Sequence, residues 1–502
     1  MGVYFEYFLL DVFSLLTILL TSSYVYFTSC YTYWKRRNVP FIQPKFPYGN
    51  CESLDSEGVH FNGHTARYYG LIKEKGWKFG GVYLLNRPVL VLRDPELIKD
   101  VLAKDFDSFP RRTVYYNEKN DPISAHLFAI GGAEWRTLRA KLTPAFSSGK
   151  MKGMFPTVVQ LTDHLVQALM EAERNRVDIN VVDYSLNYTA DVISSVAFGL
   201  DLNSFQNPDS EFLTKIKRLQ VCDNVFQYLS SIIIGKAPEL AVKLGLVGTR
   251  KELSDYFFQL VEKTLVYRKK NDVYRPDLLQ LLNELMETTA NTDDPFTWKE
   301  LVAQCFMFFF AGFDTSATTM AFALYELSRN PEIQAKVRQE IEDLTKGELT
   351  YECLGELKYL QQCIDETLRL YPPVLNLDRV CAKEYQLNNT KSTIGRGVTV
   401  LIPIVSLHRD PVYYPDPEKF DPERFGPEQK KLRHPYLHLP FGQGPKNCIG
   451  SRFGLMQVKI GLVETLRRFK LRLSPKTKPV EMFKYTFGFK PTSPIYLEVE
   501  QI

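Results

Sequence analysis

The chain has 502 residues, 45% of them hydrophobic and 13% aromatic, which is enough apolar material for a large packed core and too much for a disordered chain. Its 62 Lys and Arg against 58 Asp and Glu leave a net charge of +4, too weak to argue for nucleic acid as a partner. The eight cysteines (Cys30, Cys51, Cys222, Cys305, Cys353, Cys363, Cys381 and Cys448) nowhere stand at the spacing of a zinc site or an iron–sulfur run, and a chain this long has no need of a disulfide framework.

From Val12 to Trp34 the sequence VFSLLTILLTSSYVYFTSCYTYW carries no formal charge. As a helix it spans about 35 Å, against a bilayer hydrocarbon core of about 30 Å. Tyr31, Tyr33 and Trp34 fall where an aromatic belt lies at a membrane interface. Lys35, Arg36 and Arg37 follow at once, while Glu6 and Asp11 precede the run. A cleaved signal peptide has the reverse charge order, so residues 1–37 are expected to be a retained anchor with the rest of the chain in the cytoplasm.

Residues 38–50, NVPFIQPKFPYGN, form a proline-stiffened connector able to hold a body at a fixed tilt. Residues 51–502 then read as one large catalytic body. VYLLNRPVLVLRD, Val82 to Asp94, predicts two short strands around Asn86, Arg87 and Pro88. Helical patterns dominate from about residue 95 to 370. Trp135 and Arg139 stand one helical turn apart. In FMFFFAGFDTSATT, Phe306 to Thr319, Gly312 costs a long helix about 1 kcal/mol relative to alanine and asks for a packing or functional reason. Asn330 and Pro331 mark a helix start, with Ile333, Val337, Ile341 and Leu344 on one face. Leu357, Leu360, Ile364 and Leu368 form another face, and Glu366 and Arg369 lie three apart on the same helix. GVTVLIPIV, Gly397 to Val405, reads as a strand, and an amphipathic helix with Phe453, Met456, Ile460 and Val463 follows the last loop. The sum is a mainly α protein with a minor β portion and one N-terminal transmembrane helix.

That last loop, PFGQGPKNCIGSRFG from Pro440 to Gly454, sets a lone thiol, Cys448, before a helix. Unsatisfied N–H groups and the positive end of the helix dipole favour thiolate there, and the glycines allow the backbone to expose them. A nucleophile would need a placed base, and a redox thiol would want a partner cysteine, which is absent. A single axial ligand to haem iron is the third use.

FGQGPKNCIG resembles the haem-binding loop of the cytochrome P450 superfamily, Phe-Gly-x-Gly-x-x-x-Cys-x-Gly, matching at Phe441, Gly442, Gly444, Cys448 and Gly450. The resemblance implies the P450 fold and haem b, with Cys448 as iron ligand and Phe441 packed beside it. Lys446 stands where the family often has arginine; charge is kept, but the planar fork that grips a haem propionate is lost. Trp135, Arg139 and Arg379 are the implied propionate partners. Glu366, Arg369 and Arg424 of FDPERF are the implied buried network. Asp314 and Thr315 are implied to deliver protons to dioxygen from a helix that bulges over the iron. The implied substrate pocket is apolar and lined by Tyr115, Phe128, Phe309, Ala311, Val374 and Phe487.

YYNEKNDPISAHLF, KLTPAFSSGKMKGMF and the anchor resemble insect microsomal members, particularly the family 6 group. This implies an endoplasmic reticulum membrane enzyme that inserts one oxygen atom into small lipophilic substrates such as plant toxins and insecticides. NADPH–cytochrome P450 reductase would supply its electrons, with cytochrome b5 as a further candidate. Arg136, Lys141, Lys430, Lys431 and Arg433 are candidates for the reductase-docking face. An endogenous hormone or lipid substrate stays open, as do haem-thiolate isomerase, dehydratase and sensor readings, although an intact Asp314–Thr315 pair argues against the last three.

Overall fold

The computed structural model describes residues 2–51, 61–217, 230–231, 233–235, 238–481 and 490–502. The chain opens with helix α1 (Gly2–Cys30), 29 residues long, whose large apolar side chains from Tyr7 to Tyr26 stand exposed. Such a helix reaches about 44 Å, more than a bilayer core requires.

Of the expected aromatic belt, Trp34 is buried and Tyr31 and Tyr33 are half-buried against protein. Trp34 is 0% exposed, its indole Nε1 donates to the carbonyl of Val82 at 3.1 Å, and its own N–H donates to the Tyr83 hydroxyl. Tyr31 and Tyr33 pack against the same cluster. A Cβ on Gly81 would sit 2.6 Å from the Trp34 ring, so the glycine is what lets the indole lie on the sheet. Apolar and aromatic character alone does not distinguish lipid from protein as the partner, and here protein takes it.

Strands β1 (Phe79–Leu84) and β2 (Arg87–Leu92) form an antiparallel hairpin, Phe79 opposite Leu92 and Leu84 opposite Arg87. Two later strands complete a four-stranded sheet in the order β1-β2-β4-β3, with β3 (Asn376–Val380) antiparallel to β4 (Thr399–Pro403) and β4 parallel to β2. The expected turn at Asn86–Pro88 is shorter than the sequence suggested. Pro88 lies within β2, and it is tolerated because pairing with β4 begins only at Val89. The proline-rich stretch 38–50 does not stand apart as a linker. The Ile42 N–H donates to Gly81 O and the Gly81 N–H to Pro40 O, while Asn50 Oδ1 accepts from the Tyr83 N–H at 2.7 Å. It therefore covers the edge of β1.

The larger helical body is organised around a central helix. Its helices include α2 (Gly132–Leu142), α3 (Val181–Phe198), α4 (Trp298–Arg329), α5 (Pro331–Thr345), α6 (Lys358–Leu370) and α7 (Ser451–Leu466). The central one, α4, runs 32 residues and opens with a capping box between Thr297 and Glu300. A Cβ on Gly312 would come within 2.8 Å of Ile193 Cδ1 on α3. The glycine in mid-helix is thus explained by close packing.

The buried stripe of α5 is Gln334, Val337, Ile341 and Thr345, whereas Leu344 is 37% exposed. Gln334 earns its place by bonding the backbone of Leu327 and Leu471 through both ends of its amide. The helix after the cysteine loop, α7, is not amphipathic. Every residue from Met456 to Leu466 is buried, and its polar members bond inward, Lys459 to Leu354 O at 2.7 Å and Gln457 to Gly312 O at 3.0 Å.

Candidate active site around Cys448

The loop before α7 is tied to itself. The Gly442 N–H donates to Leu439 O, the Asn447 N–H to Gly444 O, and the Cys448 N–H to Phe441 O at 2.8 Å. Gly442 and Gly444 take left-handed conformations, φ +66° and +77°. The Cys448 side chain faces a cavity of about 3080 Å³, which Phe441, Gly442, Lys446 and Gly450 also line. Among the described residues there is no group of three or more His, Cys, Asp or Glu placed to hold a metal ion. A metal at Cys448 has to bring its other ligands with it.

The Cys448 side chain is exposed to the cavity. The protein packed around the loop pushes its thiol up, while the Gly450 N–H and the Arg112 and Arg139 guanidiniums hold it down less strongly. Helix-terminal geometry alone therefore does not decide the charge. A cation bonded to the sulfur would deprotonate it outright.

Positive charge is crowded beside the loop. Arg379 is 1% exposed; burial lowers it to about 10, and its Nε has no hydrogen-bond partner. Arg112, which sequence reasoning missed, is lowered to about 9 by burial and by Arg379. It donates to Phe128 O and Lys446 O and stacks on the Phe128 ring at 4.2 Å. The neighbouring Asp378 carboxylate already accepts from the Thr113 N–H and hydroxyl. Trp135 on α2 is buried with its indole N–H unpartnered. Buried, partnerless donors of this kind are costly unless an acceptor arrives. Trp135 and Arg112, which both line the cavity, thus fit a ligand that carries carboxylates, as haem does; Arg379 lies beside Arg112 but is not itself in the lining.

Of the expected haem-binding residues, Arg139 and Lys446 also serve the loop itself. Arg139 grips Asn447, Nη1 to the backbone O at 3.0 Å and Nη2 to Oδ1 at 2.9 Å. Lys446 is buried and bonded within the protein. Its Nζ donates to Pro110 O and Ile130 O and sits 5.1 Å from the Trp135 ring, and burial with Arg112 and Arg379 nearby pushes it down to about 6. Its hydrogen bonds go to backbone carbonyls. His126, also missed, lines the cavity and is held neutral by burial, lowered to about 4.

The opposite wall is α4. Phe306, Phe308, Phe310, Ala311, Asp314 and Thr315 line the cavity, as do Tyr115, Phe128 and Val374. Phe309 does not. It is fully buried in the core, stacked on Phe313 and edge-on to Phe212 at 5.1 Å. On a helix, neighbours in a run of phenylalanines point different ways, so one of them must face the core. Phe487 lies outside the described residues. The expected bulge is also not seen, since α4 is a continuous α-helix and the Thr315 hydroxyl donates to Ala311 O at 2.6 Å. Asp314 Oδ1 lies 3.7 Å from Lys490 Nζ.

Behind the loop, Arg369 and Glu366 are both 0% exposed and paired through two bonds, Nε to Oε2 at 2.6 Å and Nη2 to Oε1 at 2.8 Å. Arg369 also donates to His408 O, Pro417 O and Lys419 O, while the Asp421 N–H donates to Glu366. Arg424 Nε lies 3.5 Å from Glu366. Each of the basic docking candidates has a local partner: Arg136 pairs with Asp107, Lys141 with Asp294, Lys430 with Asp365 and Lys431 with Glu428. Arg433 stacks on Tyr414 and Phe425.

Comparison with known proteins agrees with this geometry. The sequence model of the family described as Cytochrome P450 matches residues 56–499. The chain is 41% identical over 485 residues to cytochrome P450 6a8 of Drosophila melanogaster, covering 94% of this chain and 95% of that one. It is 40% identical over 482 residues to probable cytochrome P450 6a20 of the same fly, covering 94% and 96%. To cytochrome P450 6A1 of Musca domestica it is 37% identical over 480 residues, covering 94% of each.

Proposed function

The chain belongs to the cytochrome P450 family and is an enzyme of its monooxygenase class; from that premise we propose that it oxidises small lipophilic molecules, plant toxins and insecticides among them, at the endoplasmic reticulum membrane. NADPH–cytochrome P450 reductase supplies its electrons, with cytochrome b5 as a second donor. The observation that carries this reading is a lone thiol lining a mostly apolar cavity that the unpartnered indole N–H of Trp135 also borders. The positive flank at Lys35 and Arg36, both exposed after α1, supports a body facing the cytoplasm.

Haem bound here supplies dioxygen activation, with thiolate donation favouring O–O cleavage. The Cys448 sulfur serves as its iron ligand, and the Gly450 N–H tempers the sulfur's charge. Trp135, Arg112 and Arg139 would hold its two carboxylates, with Arg379 adding positive charge beside Arg112. The phenylalanines of α4 exclude water and receive the substrate's apolar surface. Asp314, partly exposed beside Lys490, takes up a proton from solvent and passes it toward the Thr315 hydroxyl. Thr315 must release Ala311 O to donate into the cavity, giving up one side-chain hydrogen bond while the helix backbone stays bonded.

The direct test is purified protein with reductase, NADPH and a panel of lipophilic substrates under isotopically labelled dioxygen, read by product mass. One labelled oxygen per product is expected; products without label, or none, would overturn the reading. In the same assay Thr315→Ala and Asp314→Asn should lower product formation roughly a hundredfold, the scale of a lost general acid. NADPH consumption should fall much less, with hydrogen peroxide as the difference. Unchanged product per NADPH in both variants would remove them from the proton route.

A further inference from the structure

The segment that leads into α2 closes over the cavity in a way that the oxidation itself does not require. The Tyr115 hydroxyl donates to the carbonyl of Leu246. Nearby, Asp121 is 2% exposed and sets one carboxylate oxygen, Oδ2, 2.9 Å from the Gly248 nitrogen and 2.9 Å from the Thr249 nitrogen. Consecutive amides converging on one anionic oxygen form a nest, and hydrogen bonds to an ionised acceptor are the strong ones.

Asp121 is itself fixed in place. Its N–H donates to Asn117 O at 2.7 Å, and its carbonyl accepts from the Ser124 N–H and from the Ser124 hydroxyl at 2.6 Å. The turn is fastened to α4 by the Leu127 N–H, which donates to Gln304 Oε1 at 2.9 Å. On the other side of the clamp, Tyr115, Leu246, Gly248 and Thr249 all line the cavity, while Asp121 does not. Leu244 and Val247, which also line the cavity, are 58% and 43% exposed, so the stretch has little apolar burial of its own to hold it.

We infer that Asp121 is a positioning residue for substrate selection: through the Gly248 and Thr249 amides it holds residues 245–249 as a wall of the cavity. The wall sets how bulky a lipophilic substrate can be and which of its carbons comes to rest over Cys448. This role rests on the monooxygenase reading for product selection, whereas the clamp itself does not depend on turnover.

Two measurements on the full-length holoenzyme test it, using Asp121→Ala, Asp121→Asn and Tyr115→Phe. Asparagine keeps an acceptor without the charge, and phenylalanine cuts only the Leu246 tie. Amide hydrogen exchange at Gly248 and Thr249 should quicken about tenfold or more in Asp121→Ala and by a smaller factor in Asp121→Asn. Tyr115→Phe should quicken exchange across 246–249. With a substrate oxidisable at two carbons, the product ratio should shift severalfold in the same order, while the carbon monoxide spectrum stays that of the parent. If Asp121→Ala does not fold, the other two variants carry the test. Exchange at Gly248 and Thr249 unchanged in every folded variant would overturn the clamp. Faster exchange with an unchanged product ratio would overturn its role in selection.

Discussion

Replacing Glu366 by alanine is expected to destabilise the protein by about 3–5 kcal/mol, the cost of stranding one member of a buried pair. Arg369 would keep its bonds to His408 O, Pro417 O and Lys419 O but lose its counter-charge in a site with no solvent access. Domains are stable by roughly 5–15 kcal/mol, so a loss of that size leaves little margin. Denaturant titration followed by haem absorbance should show an early transition and poor haem retention. Arg369→Lys should behave similarly, because an ammonium cannot make both bonds to the carboxylate and reach three carbonyls. Arg424→Ala should cost much less, since its Nε stands 3.5 Å from Glu366 and its side chain is partly solvated. A retained parental midpoint in Glu366→Ala would show that the pair is not what fastens this region.

The second large effect separates two glycines in the cysteine loop. Both have positive φ, which costs a non-glycine residue roughly 1–2 kcal/mol. A Cβ on Gly442 would otherwise meet nothing closer than 3.9 Å, so Gly442→Ala should show that conformational cost alone. A Cβ on Gly444 would lie 1.9 Å from Leu102 O and 2.7 Å from Leu102 C. Those are backbone atoms of a buried turn and cannot rotate aside. Gly444→Ala should therefore displace the loop that carries Cys448 and leave the protein largely without haem. Absorbance of haem relative to protein, measured after identical expression, distinguishes the two. Equal haem content in both variants would contradict the contact.

The parts of the site that were legible in the sequence are those fixed by local spacing. Cys448 with its glycines, and Glu366 with Arg369 one helical turn apart, need only the chain's own geometry to be placed. Orientation about a helix is less accessible in an all-apolar run: Phe309 faces the core and Phe310 the cavity, though their composition is the same. Charge state depends on three-dimensional neighbours. Burial and two guanidiniums push Lys446 down, and the protein around the loop pushes the Cys448 thiol up, which local spacing does not reveal. Arg112 and His126 carry no sequence signal at all, because the loop that brings them to the cavity has no periodicity to read. Trp34 was expected at a membrane and is instead seated against Gly81; aromatic side chains serve both places equally well.

The arrangement also shows how the anchor and the catalytic body are joined. Trp34 closes the anchor end against β1, and residues 38–50 continue that strand's edge, so α1 leaves the body from a bonded junction. Tyr33, Leu84 and Arg87 at that junction line the cavity as well.

Everything in the chemistry depends on what the Cys448 sulfur binds. The absorbance spectrum of the purified protein, reduced and exposed to carbon monoxide, reads that ligand directly. The parent should give the band shape of thiolate-ligated haem, and Cys448→Ser should lose it together with turnover. A parent spectrum without thiolate character, or a Cys448→Ser protein that keeps it, would contradict the assignment.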